Sequence, residues 1–103
     1  ELLLTAHGNH ALKRYDDDRL QLLRKYDRQY GTEYYKTLHT YLQCACNRSK
    51  TAQELFISRN TMDYRINKIR ELLMLKDNDG EECMQLLLAF KARELKDHLS
   101  PVR

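Results

Sequence analysis

The side chains with the most chemistry to offer are crowded into residues 58 to 68. They supply hydroxyls, an amide, a phenol and cations, on Ser58, Arg59, Asn60, Thr61, Tyr64, Arg65 and Lys68. Groups of this kind hydrogen-bond to phosphate oxygens and to base edges in the major groove of DNA. Residues 59 to 70 also contain four cations and a single acid, Asp63, so the local charge is positive. The segment therefore predicts a surface that binds nucleic acid.

An apolar stripe predicts the helix that carries these side chains. Its members are spaced four, three and four residues apart, at Met62, Ile66, Ile69 and Leu73. This spacing describes one buried face of a helix, which we expect to start after an N-cap at Ser58 and to end near Met74 or Leu75. At about 100° per residue, the outward face holds Asn60, Tyr64, Asn67, Lys68 and Glu71. The polar groups should therefore face away from the core.

A shorter helix and a tight corner are predicted just before this helix. Ser49 is expected to cap a helix over residues 50 to 55, and the corner that follows contains Ile57. Ala52 is small enough for the crossing of two close helices, and Ile57 can fill the corner with an apolar group. Together the two segments predict a helix-turn-helix over residues 49 to 73. Its first N–H groups would bind phosphate, which adds to the predicted site Ser49, Lys50 and Thr51.

Two further helices are predicted before this pair. The acidic residues 16 to 18 can cap a first helix, which ends near Gly31. Its apolar series consists of Leu20, Leu23 and either Tyr26 or Asp27. Thr32 then stands where the N-cap of a second helix belongs. The apolar repeat of that second helix consists of Tyr35, Leu38, Leu42 and Ala45.

A last helix is predicted after an acidic loop. Asp79 and Glu82 have the spacing of a capping box, in which each residue satisfies a backbone N–H of the other. The face that we expect to be buried consists of Met84, Leu87, Leu88, Phe90 and Leu95. One Pro and three Gly among 103 residues enforce few turns. The predicted fold is therefore all-α, a small bundle of about five helices.

The length of the chain indicates one small domain, which we interpret as part of a longer protein. A chain of 103 residues buries a modest core and leaves little room for a cleft between two lobes. We assign residues 16 to 99 to the helical domain and residues 100 to 103 to a tail. Residues 1 to 15 are interpreted as the end of an upstream element or a linker, because the leucines at 2 to 4 look like a final turn.

Cysteine usage and hydropathy favour the cytoplasm. Three cysteines are an odd number and do not suggest the disulfide framework of a small secreted domain. No apolar run approaches the ~18 residues of a membrane span, and the start of the chain has no targeting pattern. We therefore expect a cytoplasmic protein that does not enter a membrane.

Two stretches of the chain carry a resemblance to a known family. They read LLRKYDRQYGTEYYKTL and TLHTYLQCACNRSKTAQELFISRNTMDYRINKIRELL. With the acidic loop and Leu/Ala-rich helix that follow, they make residues 20 to 91 similar to the C-terminal domain of the PucR-type family. That family contains purine-catabolism and sugar-diacid regulators. The most specific parts of the match are RNT at residues 59 to 61 and YR at residues 64 and 65.

The resemblance implies a Fis-like helix-turn-helix that binds double-stranded DNA in a sequence-specific way, at the C-terminus of a bacterial transcriptional regulator. It also implies that an effector is bound by domains upstream of this chain. The signature places of the family are taken by Arg59, Asn60, Thr61, Tyr64 and Arg65. Ser58 departs from a common His, Asp63 from a common basic residue, and Met74 from the Gly that usually ends the helix. Since one helix-turn-helix contacts only a few base pairs, we expect the full-length protein to be a homodimer.

The cysteines suggest a different type of site. Cys44, Cys46 and Cys83, with His39, could in principle form a metal or thiol-redox site. However, two cysteines separated by one residue on a helix do not have the spacing of zinc knuckles. We therefore predict no metal and no other cofactor, and we expect the thiols to act as small buried apolar groups.

Three other functions are open to the same residues. Tyrosines at 34, 35 and 41 could stack on single-stranded bases, although tyrosines at helical spacing usually belong to the core and its rim. No nucleophile with a nearby base and no Gly-rich phosphate loop is visible, so we predict that the chain is not an enzyme. The main alternative is a helical protein-interaction or dimerisation module without DNA binding. The leucines at 86 to 88, Phe90 and the N-terminal leucines favour it, because they exceed what one buried face needs.

Overall fold

The computed structural model describes residues 18–76 and 80–99, and this part of the chain contains five α-helices. They are α1 (Asp18–Tyr30), α2 (Tyr34–Gln43), α3 (Arg48–Leu55), α4 (Arg59–Leu73) and α5 (Gly80–Leu99). The predicted all-α bundle of about five helices is confirmed. The predicted upstream element at residues 1–15, the first two acids of the predicted cap at residues 16 and 17, and the tail at residues 100–103 lie outside the described residues.

The helices share one hydrophobic core, with α2 at its centre. This helix contacts each of the other four, whereas α4 packs against α1, α2 and α3. The four residues of the predicted stripe on α4 are all buried: Met62, Ile66, Ile69 and Leu73. They meet the fully buried Leu20 and Leu23 of α1 and the buried Leu38 and Leu42 of α2. The periodicity of α4 therefore predicted its inward face correctly.

The first turn of the domain is closed by a carboxylate that the sequence did not reveal. Helix α1 ends just before Gly31, as predicted, and this glycine has a left-handed φ of 67°. The predicted cap at Thr32 is wrong, because α2 begins at Tyr34. Instead, Asp27 of α1 accepts hydrogen bonds from the N–H groups of Tyr34 and Tyr35, each at 2.9 Å, and from the Thr32 hydroxyl. A side chain from the preceding helix thus caps α2.

The turn between α2 and α3 is made of two left-handed residues. Ala45 and Cys46 have φ values of 57° and 60°, and α2 ends at Gln43. The prediction that Ala45 belongs to the buried repeat of α2 is therefore wrong, and its side chain is exposed. The N–H of Cys46 donates to the carbonyl oxygen of Tyr41 at 2.8 Å, which closes the end of the helix.

The N-termini of α3 and α4 are both capped by side chains. The side chain of Asn47 accepts a hydrogen bond from the N–H of Lys50 at 2.9 Å, so the predicted cap at Ser49 is wrong by two residues. Ser58 caps α4 as predicted, since its hydroxyl oxygen accepts from the N–H of Thr61 at 3.1 Å. The helix ends where expected, with Met74 in the left-handed region at a φ of 55°.

The buried face of α5 differs from the predicted one. Phe90 is buried and Leu87 is partly buried, but three of the predicted residues are exposed, by 59% for Met84, 39% for Leu88 and 45% for Leu95. The residues that face the core are instead Leu86, Ala89, Phe90 and Ala92. Ala89 and Ala92 are small, so this face of α5 can pack closely against α2 while Leu88 and Leu95 face outward.

The predicted capping box of α5 is only partly visible. Asp79 lies outside the described residues, whereas Glu82 accepts a hydrogen bond from the N–H of Lys76 at 2.9 Å. This bond joins the first turn of α5 to the end of the segment that follows α4. Within residues 18–76 and 80–99, no helix combines the length and the apolar character needed to cross a membrane.

Candidate nucleic-acid interface

Helices α3 and α4 meet at a corner of three residues, Phe56, Ile57 and Ser58. Phe56 ends α3 in the left-handed region, and the N–H of Ile57 donates to the carbonyl oxygen of Ala52 at 3.0 Å. Ala52 is buried and Ile57 is partly buried against the core, as expected for the crossing and its apolar plug. This is the geometry of a helix-turn-helix, and it spans residues 48–73.

The start of α4 presents a set of exposed polar side chains. Arg59 is 56% exposed through its side chain, and Tyr64 is 63% exposed. The other exposed members of the predicted site are Ser49, Lys50, Ser58, Asn60 and Thr61. We call the seven residues together the polar face. Asn60 and Tyr64 lie on the side of α4 opposite to the buried stripe, and Arg59 and Thr61 lie on its flanks. Ser58 caps the helix, and Ser49 and Lys50 belong to the first turn of α3.

Asp63 organises the cations around the polar face. Its carboxylate accepts hydrogen bonds from Arg48 at 2.9 Å and from Arg59 at 3.2 Å. The bond from Arg48, followed by that from Arg59, holds the pKa of the Asp63 carboxyl below its usual value. Arg59 also donates to the Ser49 hydroxyl at 2.7 Å, which ties α4 to α3. The acid that departs from the family pattern is therefore compensated by two guanidinium groups.

Lys68 lies beyond the polar face, more than two turns along α4 from Arg59. Its side chain is 34% exposed and its ammonium lies 3.6 Å from the carboxylate of Glu71. That carboxylate is the main cause of the raised pKa of Lys68. The lysine is therefore charged and reaches solvent on a neighbouring part of the helix surface.

Two residues of the predicted site face other parts of the domain. Thr51 is fully buried, and its hydroxyl donates to the carbonyl oxygen of Asn47 at 2.7 Å. Arg65 donates to the hydroxyl of Thr37 at 2.9 Å and approaches Glu33 at 3.8 Å, so it links α4 to α2. The structure does not bring these two side chains together with the polar face.

Three features of the site were missed by sequence reasoning. The role of Arg48 was not predicted, because its partner Asp63 lies 15 residues away. Asp63 itself was noticed only as a departure from the family pattern, and its two arginine partners were not predicted. Phe56 was assigned only to the corner, yet its side chain is 93% exposed beside the polar face. A charge that is out of place in a family pattern was the available signal for the first two features.

The three cysteines and His39, which were considered as a metal or thiol-redox site, do not form one cluster. The sulfurs of Cys46 and Cys83 lie 3.6 Å apart, and all three cysteines are only partly buried, which corrects the expectation of buried thiols. His39 instead stacks on Phe90, with ring centroids 4.4 Å apart. In the described part of the chain, no three His, Cys, Asp or Glu side chains gather as metal ligands.

The tyrosines of the alternative stacking site pack within the domain. Tyr34 is buried and stacks on Tyr26 at a centroid distance of 5.5 Å, while Tyr35 meets the edge of Phe90 at 5.0 Å. Tyr41 is partly buried, and burial raises the pKa of its phenol. These contacts give the three tyrosines of α2 a structural role in the core and at its rim.

A tight helix-turn-helix with a polar outer face defines a class of DNA-binding domain. The chain matches the family model of the PucR C-terminal helix-turn-helix domain over residues 34–92. It belongs to this family and is a DNA-binding regulatory module. No solved structure matches the chain.

Two relatives with assigned roles come from Bacillus subtilis strain 168. The chain is 38% identical over 74 residues to the proline-responsive transcriptional activator PutR. The aligned residues make up 72% of the chain and 18% of PutR. It is 37% identical over 84 residues to the purine catabolism regulatory protein. This aligned segment makes up 82% of the chain and 16% of that protein. The chain thus spans less than a fifth of the length of either relative.

Proposed function

We propose that this domain recognises a specific DNA sequence by inserting the start of α4 into the major groove. The observation that carries the proposal is the division of α4 into two faces. One face is buried without exception along the stripe from Met62 to Leu73, and the other presents the polar face to solvent. A helix anchored in this way can offer its N-terminal side chains to base edges without losing core contacts.

The residues of the polar face divide by the groups that they can bind. Arg59 can form a bidentate pair with guanine and Asn60 with adenine, and both lie in the first turn of α4. Ser49 and Lys50, at the start of α3, can contact phosphates together with the N–H groups of that helix end. Lys68 contributes affinity through a phosphate, since an ammonium on a flexible stem carries little sequence information.

Arg65 and Thr51 then support the interface without contacting bases. Both side chains are engaged inside the domain, Arg65 with Thr37 of α2 and Thr51 with the carbonyl oxygen of Asn47. Their role in this proposal is to hold the two helices of the motif in position. The signature of the family would accordingly include residues that stabilise the fold as well as residues that touch DNA.

We further propose that two copies act together within a cytoplasmic regulator. One motif covers only a few base pairs, so a homodimer would bind half-sites about 34 to 36 Å apart. The names of the relatives, a proline-responsive activator and a purine catabolism regulator, support a protein whose other domains respond to a small metabolite. The domain itself would act by binding alone, without catalysis.

A second function, protein interaction or dimerisation, is favoured by the exposed apolar side chains of α5. Met84, Leu88 and Leu95 are exposed at spacings that share one side of a helix, and Leu22 of α1 is 43% exposed. This surface is compatible with DNA binding, because it lies on other helices than the polar face. A module that binds only protein would not shift labelled DNA in a gel-shift assay, either with or without heparin as competitor.

The assignment within α4 can be tested with matched cation variants. We expect Arg59→Ala to lower the ratio of affinities for a selected operator over scrambled DNA by about 5-fold to 150-fold, as for one lost bidentate pair. Lys68→Ala should weaken both complexes equally and reduce the salt slope by about one. Lys91→Ala, an exposed cation on α5, is the control and should leave both unchanged. If Lys68→Ala changed the ratio of affinities for operator over scrambled DNA and Arg59→Ala did not, Lys68 would be the residue that reads bases and Arg59 would contact phosphate.

The role of Asp63 can be separated from simple repulsion by removing its charge. If Asp63 orients Arg59, then Asp63→Asn lowers the operator ratio even though it removes a negative charge from the interface. If Asp63 only repels phosphate, the same variant strengthens binding to operator and scrambled DNA alike. Titrations of both DNAs at two salt concentrations distinguish the outcomes. Thermal melting of the variant checks that the loss of the Arg48 hydrogen bond has not unfolded the motif.

A further inference from the structure

We propose that Cys46 and Cys83 form a redox-modification site, in which an oxidant of the peroxide class converts the two thiols into a reversible intramolecular disulfide. Their sulfurs lie 3.6 Å apart in the folded domain. A disulfide bond is about 2.05 Å long, so the two atoms need to approach by only about 1.5 Å. This pair is separate from the polar face, and the inference does not depend on the DNA contacts proposed above.

The two thiols belong to segments that are distant along the chain. Cys46 lies in the turn between α2 and α3, and Cys83 lies in the first turn of α5, 37 residues later. Cys46 is held by its left-handed backbone and by the hydrogen bond from its N–H to Tyr41. The contact is therefore a product of the fold.

A small oxidant has a path to both sulfurs. Cys46 and Cys83 line the same surface cavity, of about 330 Å³, together with Tyr41 and Arg70. Hydrogen peroxide is only slightly larger than a water molecule, which takes up about 30 Å³ in the liquid. Both cysteines are partly buried, so part of each side chain remains accessible to a small molecule.

The reaction balances with peroxide as the sole oxidant. One thiolate attacks a peroxide oxygen, the O–O bond breaks, and a sulfenic acid forms while hydroxide leaves and takes up a proton. The second thiolate then attacks the sulfenic sulfur, so that the S–S bond forms as the S–O bond breaks, and the hydroxide that leaves takes up a proton to become a further water. Two thiols thus lose two electrons and two protons, and hydrogen peroxide becomes two waters. A thiol reductant returns both cysteines to the reduced state by thiol–disulfide exchange.

The bond would connect α5 to the beginning of the helix-turn-helix. Cys46 directly precedes Asn47, whose side chain caps α3. A cross-link that closes a loop of 37 residues restricts the unfolded chain and so raises the melting temperature. Oxidation would therefore stiffen the junction between the last helix and the motif.

The test oxidises the purified 103-residue chain with hydrogen peroxide and then alkylates the remaining thiols. We expect a monomer that has lost about two mass units, one alkylated cysteine, and a peptide map that joins Cys46 to Cys83. Dithiothreitol should restore three alkylated cysteines, and oxidation should raise the melting temperature by about 5 to 15 °C. The variant Cys44→Ser is the matched control and should form the bond as the parent does.

Three results would overturn the proposal. The first is the alkylation of all three cysteines after peroxide treatment, and the second is a map that joins Cys44 to either of the other cysteines. The third is oxidation that yields only cross-linked dimers or sulfinic acids. Cys46→Ser and Cys83→Ser should each abolish the bond. Because the peptide map uses the unmodified chain, the proposal stays testable even if one of these variants does not fold.

Discussion

Helices α4 and α5 pack on the same core, yet only the first revealed its buried face in the sequence. In α4, each of the four apolar residues chosen from periodicity is buried. In α5, Met84, Leu88 and Leu95 were expected inside and are exposed, whereas two alanines are buried instead. The two helices therefore differ in how much the choice of face depends on the rest of the fold.

The difference arises from how apolar residues are distributed around each helix. Outside its stripe, α4 is polar at almost every position, so only one orientation buries the apolar groups and keeps the polar ones in water. In α5 the leucines at 86 to 88 are consecutive and project about 100° apart, so several orientations bury similar apolar area. The observed orientation places Ala89 and Ala92 in the core, and we infer that these small side chains select it by allowing close packing against α2.

The largest expected effect contrasts two neighbouring leucines of α5. Leu86 is fully buried and Leu88 is 39% exposed. We expect Leu86→Ala to lower the free energy of unfolding by about 2 to 5 kcal/mol, because it removes buried methyl groups and leaves a cavity. Leu88→Ala, the matched control, should cost below about 1 kcal/mol. Urea denaturation measures both, and equal losses would show that α5 presents a different face in solution.

Overpacking at the buried alanines should have the next largest effect. Ala52 of α3 and Ala89 of α5 are buried, at 6% and 0% exposure. Leucine at either position should cost about 1 to 3 kcal/mol, since the extra atoms force neighbouring side chains or helices apart. Ala45→Leu, at an exposed turn position, is the control for leucine itself. If Ala89→Leu melted like the parent chain, close approach would not be what orients α5.

Loss of a helix cap should have a smaller effect on stability than either change in the core. Asn47 caps α3 and Ser58 caps α4, while Ser49 lies inside the first turn of α3. Asn47→Ala and Ser58→Ala should each lower stability by about 1 kcal/mol, because an N–H at the helix start loses its acceptor. Ser49→Ala should change stability much less. A large loss for Ser49→Ala and none for Asn47→Ala would restore the cap that the sequence suggested.

The smallest expected effect is the pH dependence of the contact between α2 and α5. His39 stacks on Phe90 and lies 3.7 Å from Glu94. Burial lowers the pKa of His39 below its usual value of about 6.5 and outweighs the opposing effect of Glu94, and Lys91 lowers it further. The unfolded chain therefore takes up this proton first as the pH falls. Stability should decrease from about pH 6.5 downward, until the folded-state pKa is passed.

The control for this prediction is His39→Phe, which keeps an aromatic ring against Phe90 and removes the titrating group. Unfolding free energies measured between pH 5 and pH 8 should decline toward acid in the parent chain and decline less in the variant. Parallel curves for the two proteins would mean that other groups produce the pH dependence.

The sequence alone determined the features that depend on neighbouring residues. The stripe of α4, the cap at Ser58 and the ends of helices at Gly31 and Met74 each follow from interactions within about one or two helical turns. The exposure of Asn60 and Tyr64 followed as well, because these two positions lie opposite the stripe on α4. A helical period and a capping side chain depend only on residues close together in the chain, so both can be predicted from the sequence.

Only the tertiary structure decided the contacts between segments that are distant along the chain. The link from Arg65 to Thr37, the face of α5 and the contact of Cys46 with Cys83 are of this kind. Each depends on how closely two helices approach and on their relative rotation. Those quantities are set by the volumes of all the side chains between the helices at once, and no local pattern of residues specifies them.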